Sequence, residues 1–492
     1  MTEIKKYQMY INNEFVEAED GKRFDSLNPE NNQPWASFPE ANTNDVNKAV
    51  QAAKDAFQGW SKLEVKERAQ YLRAIGDLLK ENAELLGRTE TIDSGKLLKE
   101  TKFATEYVRE YFHFYADLAE KMENEFPIPK IDKPDMDVVE VREPIGVVAC
   151  IIPWNQQMFL MTTKLAPALA AGNTIVIKSS ELAPAPLIEF ARLLDGVGLP
   201  KGVVNIVSGG VEAGEALTSH KSIGKILFTG GSATGSHVIK NSSNNFAQLT
   251  LELGGKSPVI VFDDCDQDNA LNNIMTAIFS GNGCSCIAGS LLILNEKIYD
   301  TFLEKLVSRA KDIKLGSPLD DQSQMGPLNN LKQVEFIEKN IQATIKQGGT
   351  VLCGGERPEE LSEGCYFLPT VIECPDRNVD TAKIELFGPV LSVVKFKTEE
   401  EAIQIANDND YGLSSGVFTE DAERCDRVSR SLEAGICFKN CYRFISYAAS
   451  FGGRKQSGYG RESGYDAISA MQIKKTIWTS NSRVTEDPFK IR

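Results

Sequence analysis

Histidine is nearly missing from this chain. His113, His220 and His237 are the three among 492 residues, and none stands in an H-E-x-x-H or other metal-ligand spacing. No C-x-x-C occurs either, so a zinc site has no support. A hydrolase built on serine, histidine and aspartate would need one of those three in a suitable context, and none has one. A catalytic base, if there is one, is expected to be a carboxylate. Positive charge is short as well. The 54 lysines and arginines against 69 aspartates and glutamates leave a net charge of −15, without the basic footprint of a nucleic-acid binder. No run approaches the ~20 apolar residues that span a bilayer. The start, Met1-Thr2-Glu3-Ile4-Lys5-Lys6, lacks the apolar core of a secretory signal, and a cytoplasmic protein is expected. The ten cysteines, at 150, 265, 284, 286, 353, 365, 374, 425, 437 and 441, form no spaced framework, and thiols in that compartment stay reduced.

What is there is an ordinary soluble composition, 42% hydrophobic and 25% charged, with length for two or three domains. Residues 8–17 read as a hairpin around Asn12-Asn13. From Thr43 the apolar spacing is helical, with Asn44-Asp45 as a cap, and two more long helices are expected over 63–86 and 99–122. At Asp137 the rhythm changes to strand, loop and helix. Apolar strands are expected at 146–152, 174–178, 203–207, 225–229 and 257–262, then near 290–294, 367–371 and 390–396. Buried apolar strands alternating with helices predict an α/β fold with parallel, doubly wound sheets in two similar-sized domains.

One loop stands out, Ser280-Gly281-Asn282-Gly283-Cys284-Ser285-Cys286-Ile287-Ala288-Gly289-Ser290. Its glycines permit sharp turns, so a thiol here can face a cleft, although a Cys pair in a tight loop can equally be small core filling. Four further stretches place polar residues where a strand gives way to a loop, the place where open α/β sheets bind ligands. Pro153-Trp154-Asn155 offers an amide donor. Lys178-Ser179-Ser180-Glu181 offers a lysine and a glutamate able to hold ribose hydroxyls. Phe228-Thr229-Gly230-Gly231-Ser232 turns into a helix whose N–H groups favour phosphate. Glu252-Leu253-Gly254-Gly255-Lys256 offers a partly buried carboxylate, whose pKa desolvation would raise towards neutrality, unless it simply pairs with Lys256. A thiol nucleophile, oxyanion donors, a nucleotide site and a base together suit covalent oxidation at a carbonyl.

With these motifs in order, the sequence resembles the NAD(P)-dependent aldehyde dehydrogenases of the non-phosphorylating, hydrolytic type. Glu385-Leu386-Phe387-Gly388-Pro389 and Phe451-Gly452-Gly453 with Lys455-Gln456-Ser457-Gly458-Tyr459-Gly460-Arg461-Glu462 extend the match. The resemblance implies an NAD-binding domain from 1–122 and 146–254, a catalytic domain over 255–464, and a bridging β-strand pair from 123–145 and 465–492 that supports a homodimer or homotetramer. It makes Cys286 the nucleophile, Asn155 with the Cys286 N–H the oxyanion hole, and Glu252 the base for water and a candidate base for the thiol. Lys164 would line the catalytic cleft. Pro153, Trp154, Lys178, Glu181, Gly230, Gly231, Ser232, Leu253, Glu385 and Phe387 would bind the cofactor, with no metal. Glu181 would repel a 2′-phosphate, which favours NAD and, given Lys178, leaves NADP open.

Glu252 also separates this reading from its nearest rival, a CoA-acylating dehydrogenase, because acyl-CoA-forming members commonly lack it. A non-catalytic member of the fold is the rival from another class, and the intact Cys286, Glu252 and Asn155 speak against it. The family usually has Gln at Cys284, Arg at Leu291 and Pro at Ser179, Gln157 and Ser450, with an aromatic at Arg454. These departures affect the shape of the cleft rather than its chemistry. Met161, Ile287, Phe444, Ile445 and Phe451 suggest an aldehyde with an apolar part, and no aromatic cage for a quaternary ammonium is evident. Cys284 either fills space or acts as a resolving thiol for an oxidised Cys286.

Overall fold

In the computed structural model, which describes residues 4–482 and 489–490, apolar strand runs build two large sheets. The first has eight strands. Its centre is five parallel strands, in spatial order Gln248–Glu252, Ile223–Thr229, Val147–Ile151, Thr174–Lys178 and Val204–Val207. The three inner ones are buried almost throughout, as expected of strands covered on both faces. The chain starts at Val147–Ile151, runs outward one way and then returns to run outward the other. The order therefore reverses between Val147–Ile151 and Ile223–Thr229, which is where such sheets take ligands, beyond the carboxyl ends of the strands. Asn155, Gly230 and Glu252 all stand at those ends.

The hairpin Met9–Ile11 with Glu14–Val16 joins one edge of this sheet. Asn12 and Asn13 turn it at φ 55° and 62°, as a two-residue hairpin turn requires. Gly458–Tyr459 joins the other edge beside Glu252, so a late segment closes the sheet where the carboxylate stands.

The second sheet has seven strands, centred on Pro258–Val261 and Leu291–Asn295, with Val390–Phe396 and Ser414–Phe418 outside them. The loop with Cys286 lies between the helix Gln267–Phe279 and the strand Leu291–Asn295. The expected bridging pair is present, widened by one short strand to a three-stranded sheet. Gln472–Ser480 pairs along the whole of Met136–Pro144, which also takes Glu125–Pro127. The expected bridging segment 465–492 includes residues 483–488 and 491–492, which, like 1–3, lie outside the described residues.

Three further expectations are corrected. The helix over 63–86 is two, Val65–Glu81 and Ala83–Ser94, broken at Asn82, whose side-chain amide turns back to the Leu78 carbonyl at 2.8 Å. The first long helix is capped by Asn42 rather than Asn44-Asp45. Asn42 Oδ1 accepts from the N–H groups of Asn44 and Asp45, and Asp45 returns a bond to the Asn42 N–H. The strand near 367–371 is Thr370–Glu373, because Pro369 has no N–H to give a ladder. The helix Leu331–Lys346 was not anticipated.

Candidate active site

The Cys286 turn is fixed before the thiol is reached. Gly281, Asn282 and Gly283 take φ values of 61°, 59° and 70°, three left-handed residues in a row. A Cβ on Gly283 would lie 2.2 Å from the Gly388 carbonyl oxygen, so only glycine fits. Asn282 pins the turn from within, donating to the carbonyls of Gly95 at 3.1 Å and Pro327 at 2.7 Å and accepting from the Gly326 N–H at 3.0 Å.

Cys286 then lines a cavity of about 210 Å³ together with Asn155, Glu252 and Glu385. Pro153, Trp154, Gly230, Gly231, Leu253 and Phe387 complete much of its wall. The Asn155 side-chain amide donates to the Cys284 carbonyl at 3.1 Å, which locks it beside the turn with one N–H still to give. The Cys286 N–H has no hydrogen-bond acceptor among the described residues. Two residues lining the cavity, Asn155 and Cys286, thus each keep an N–H to give. Burial, followed by the charges of Glu385 and Glu252, pushes the Cys286 thiol up to about 12, so it rests protonated at neutral pH.

Glu252 ends its strand buried, with no hydrogen-bond partner for either oxygen among the described residues. Lys256 is not its partner, since the lysine Nζ is also without one. Burial and the neighbouring Glu462 raise the Glu252 pKa well above the carboxylate range, against the pull of Lys164 and Arg461. Lys164 does not line the cavity. It is fully buried with its Nζ 2.6 Å from Glu462 Oε1, while Glu462 Oε2 accepts from the Thr163 hydroxyl at 2.9 Å. A lysine among apolar helix residues needs a buried counter-ion, and Glu462 supplies it.

Glu385 lies against Gly254, where a Cβ would come 1.8 Å from its Oε2, and its Oε1 accepts from the Gly255 N–H at 3.0 Å. Burial raises it to about 7. Trp154 and Phe387 meet edge to face at 5.3 Å. Ser232 opens the helix Ser232–Ser242, which has no side-chain cap, and is turned away, donating to the Gln456 carbonyl at 3.0 Å. Lys178 and Glu181 stand one strand over, 3.5 Å apart. Glu181 borders a separate hollow beside Asn329 and Lys332.

Leu160 and Gln333 also line the cavity and were missed. Gln333 sits on the unanticipated helix and donates to the Leu386 and Phe387 carbonyls, holding the Glu385 turn. Met161 is buried in the core, and Phe444 is 72% exposed, so neither supports the apolar substrate wall expected of it. The Cys284 thiol is buried against the Phe387 carbonyl at 3.3 Å, which favours the filling role.

The model of the Aldehyde dehydrogenase family matches residues 15–477. The chain belongs to this family. It is 47% identical over 495 residues to (Z)-2-((N-methylformamido)methylene)-5-hydroxybutyrolactone dehydrogenase of Acinetobacter baylyi, covering 99% of this chain and 100% of that one. It is 42% identical to the peroxisomal aminoaldehyde dehydrogenase 1 of Pisum sativum, over 94% of this chain and 93% of that one. Among solved structures, betaine aldehyde dehydrogenase from Staphylococcus aureus in complex with NAD+ superposes with a TM-score of 0.96 at 36% identity, covering 99% of this chain and 96% of that one. The reaction of an aldehyde dehydrogenase such as this one is NAD-dependent oxidation of an aldehyde.

The residues present fit that cofactor. Nothing lies within 4 Å of a Cβ on Gly231, and the uncapped helix start beside it leaves N–H groups free for a pyrophosphate. Glu385 stands where it could accept from a ribose hydroxyl. Among the described residues no helix is long and apolar enough to cross a membrane.

Proposed function

We propose that Cys286 carries the oxidation as a covalent intermediate and that Glu252 ends it by hydrolysis. The observation that carries the reading is that Cys286, Asn155 and Glu252, from three distant segments, border one cavity with Glu385. The Cys286 sulfur, once deprotonated, adds to the aldehyde carbon. The oxygen then becomes an oxyanion, met by the Asn155 amide and the Cys286 N–H. When bound, NAD supplies the oxidant by accepting two electrons as hydride. The resulting thioester on Cys286 is opened by a water whose proton passes to Glu252, and the carboxylic acid leaves. A carboxylate with a raised pKa suits that proton. Lys164 acts one step back, holding Glu462 behind Glu252.

Gly230, Gly231 and Ser232 would take the pyrophosphate side of NAD, with Leu253 behind the turn. Pro153, Trp154 and Phe387 would wall the nicotinamide half, Glu385 would hold its ribose, and Lys178 with Glu181 the other. The Glu181 charge favours NAD over NADP. Residues 1–122 with 146–254 form the cofactor half, 255–464 the catalytic half, and 123–145 with 465–492 the bridge. The open edge of the Gln472–Ser480 strand, which exposes Ile473, Ile477 and Trp478, supports a homodimer or homotetramer. We place the protein in the cytoplasm. Cys286→Ala tests the reading: NADH formation with any aldehyde should fall at least ~10³-fold, and retained turnover would refute it.

A further inference from the structure

The helix that follows the Asn155 amide begins where water cannot help it. Gln157–Ala170 has no cap from the side chain of Gln156, which precedes it. The first N–H groups of a helix find no partner within it, and Gln157 and Met158 are fully buried. Glu90 answers them from 67 and 68 residues away in sequence. Its Oε1 accepts from the Gln157 N–H at 3.1 Å, and its Oε2 accepts from the Met158 N–H at 3.3 Å. A carboxylate at the positive end of a helix is favoured by the dipole as well as by the two bonds. Glu90 is 1% exposed. Those bonds and the charge of Lys96 offset the cost of burying it.

The segment that begins at Glu90 also holds the nucleophile's turn. Glu90 lies in the helix Ala83–Ser94. Just beyond it, the Gly95 carbonyl accepts from the Asn282 side-chain amide at 3.1 Å, and Glu100 Oε1 accepts from the Gly281 N–H at 2.8 Å. Residues 90–100 therefore bond on one side to the helix after Asn155 and on the other to the turn before Cys286. Asn155 crosses between the two, donating to the Cys284 carbonyl. Glu90 does not line the cavity. It reaches the site through hydrogen bonds to the backbone, with Gln156 alone between Asn155 and the first residue it grips.

We infer that Glu90 is a positioning residue for the oxyanion hole, fixing the helix start so that the Asn155 amide stands in register with the Cys286 N–H. This rests on Asn155 as an oxyanion donor. Such a donor acts only from a fixed place, and a displacement of ~1 Å in a site can cost about a hundredfold in rate. A remote carboxylate with both oxygens engaged supplies that fixity where the helix has no cap of its own.

The test is a double-mutant cycle between Glu90 and Asn155 in the full-length protein. Single-turnover NADH formation is measured at saturating NAD, with whichever of propanal, benzaldehyde and 4-aminobutanal the unmodified protein oxidises fastest. Glu90→Gln keeps the shape but turns one acceptor into a donor that faces an N–H. With Asn155 present it should slow NADH formation at least tenfold. Asn155→Ala alone should slow it at least a hundredfold, and adding Glu90→Gln to that variant should cost less than twofold more. Glu90→Asp, which keeps the charge but draws the carboxylate one carbon back, should show the same dependence on Asn155 should the Gln variant fold poorly. A purely structural role would give an equal loss in both backgrounds, and that would overturn the inference. So would an unchanged rate in Glu90→Gln or Glu90→Asp beside a large loss in Asn155→Ala, which refutes the positioning role alone. Full activity in Asn155→Ala would refute the parent reading of the oxyanion hole with it.

Discussion

At the scale of single residues, Glu252 is where electrostatics and chemistry pull together. Its pKa is raised by burial and by Glu462. A group whose folded pKa lies above its unfolded value contributes most to stability while it is protonated in both states, and that contribution drains away as pH rises through the folded value. Glu252→Gln removes the ionisation. The variant should therefore gain apparent Tm, by about 2 °C or more, at pH 8–9, and gain nothing near pH 4. Steady-state turnover should fall by ~10²–10⁴-fold, the range of general-base catalysis, at every pH. Parallel thermal scans and NADH assays across pH check both halves. A loss of stability at high pH would mean that the buried carboxylate has a partner.

At the scale of elements, the turn before Cys286 is the most constrained piece of backbone in the site. Gly283→Ala adds a Cβ at positive φ that meets the Gly388 carbonyl at 2.2 Å, and the loop must move to relieve it. A cost of ~1–3 kcal/mol in stability and about a hundredfold loss of kcat/KM from a displaced nucleophile are expected. Denaturant unfolding and initial rates would show them, and a variant with full activity would contradict the geometry.

The motifs of this turn, of Asn155, Gly230 and Glu252 were legible because each ends or precedes a short, strongly apolar strand, and apolar runs survive as signals in sequence. The helix Leu331–Lys346 was not, although its Gln333 holds the Glu385 turn. Its Val334, Ile337 and Ile341 repeat at helical spacing, but charged and amide residues stand between them. The break at Asn82 was missed because one residue decides it, through a side-chain bond to Leu78. The position of Lys164 depends on Glu462, 298 residues away in sequence, and no local pattern carries that.

At the scale of the whole molecule, the first sheet presents the carboxyl ends of its strands to a loop that enters the second. The proposed mechanism draws on both, with Glu252 and Asn155 from one and Cys286 from the other. Gly458–Tyr459 fastens the two by pairing beside Glu252, and Gly452 approaches the same carboxylate, where a Cβ would stand 2.8 Å from Oε1. The late glycine-rich segment thus shapes the room around the base, although its residues perform no step themselves.

The most direct measurement of the central claim is mass spectrometry of Glu252→Gln, quenched in acid after mixing with NAD and an aldehyde. The account predicts one NADH per site in a burst, and an acyl mass on the peptide carrying both thiols, located by fragmentation to Cys286. NADH formed without a covalent mass, or an acyl group on Cys284, would contradict it.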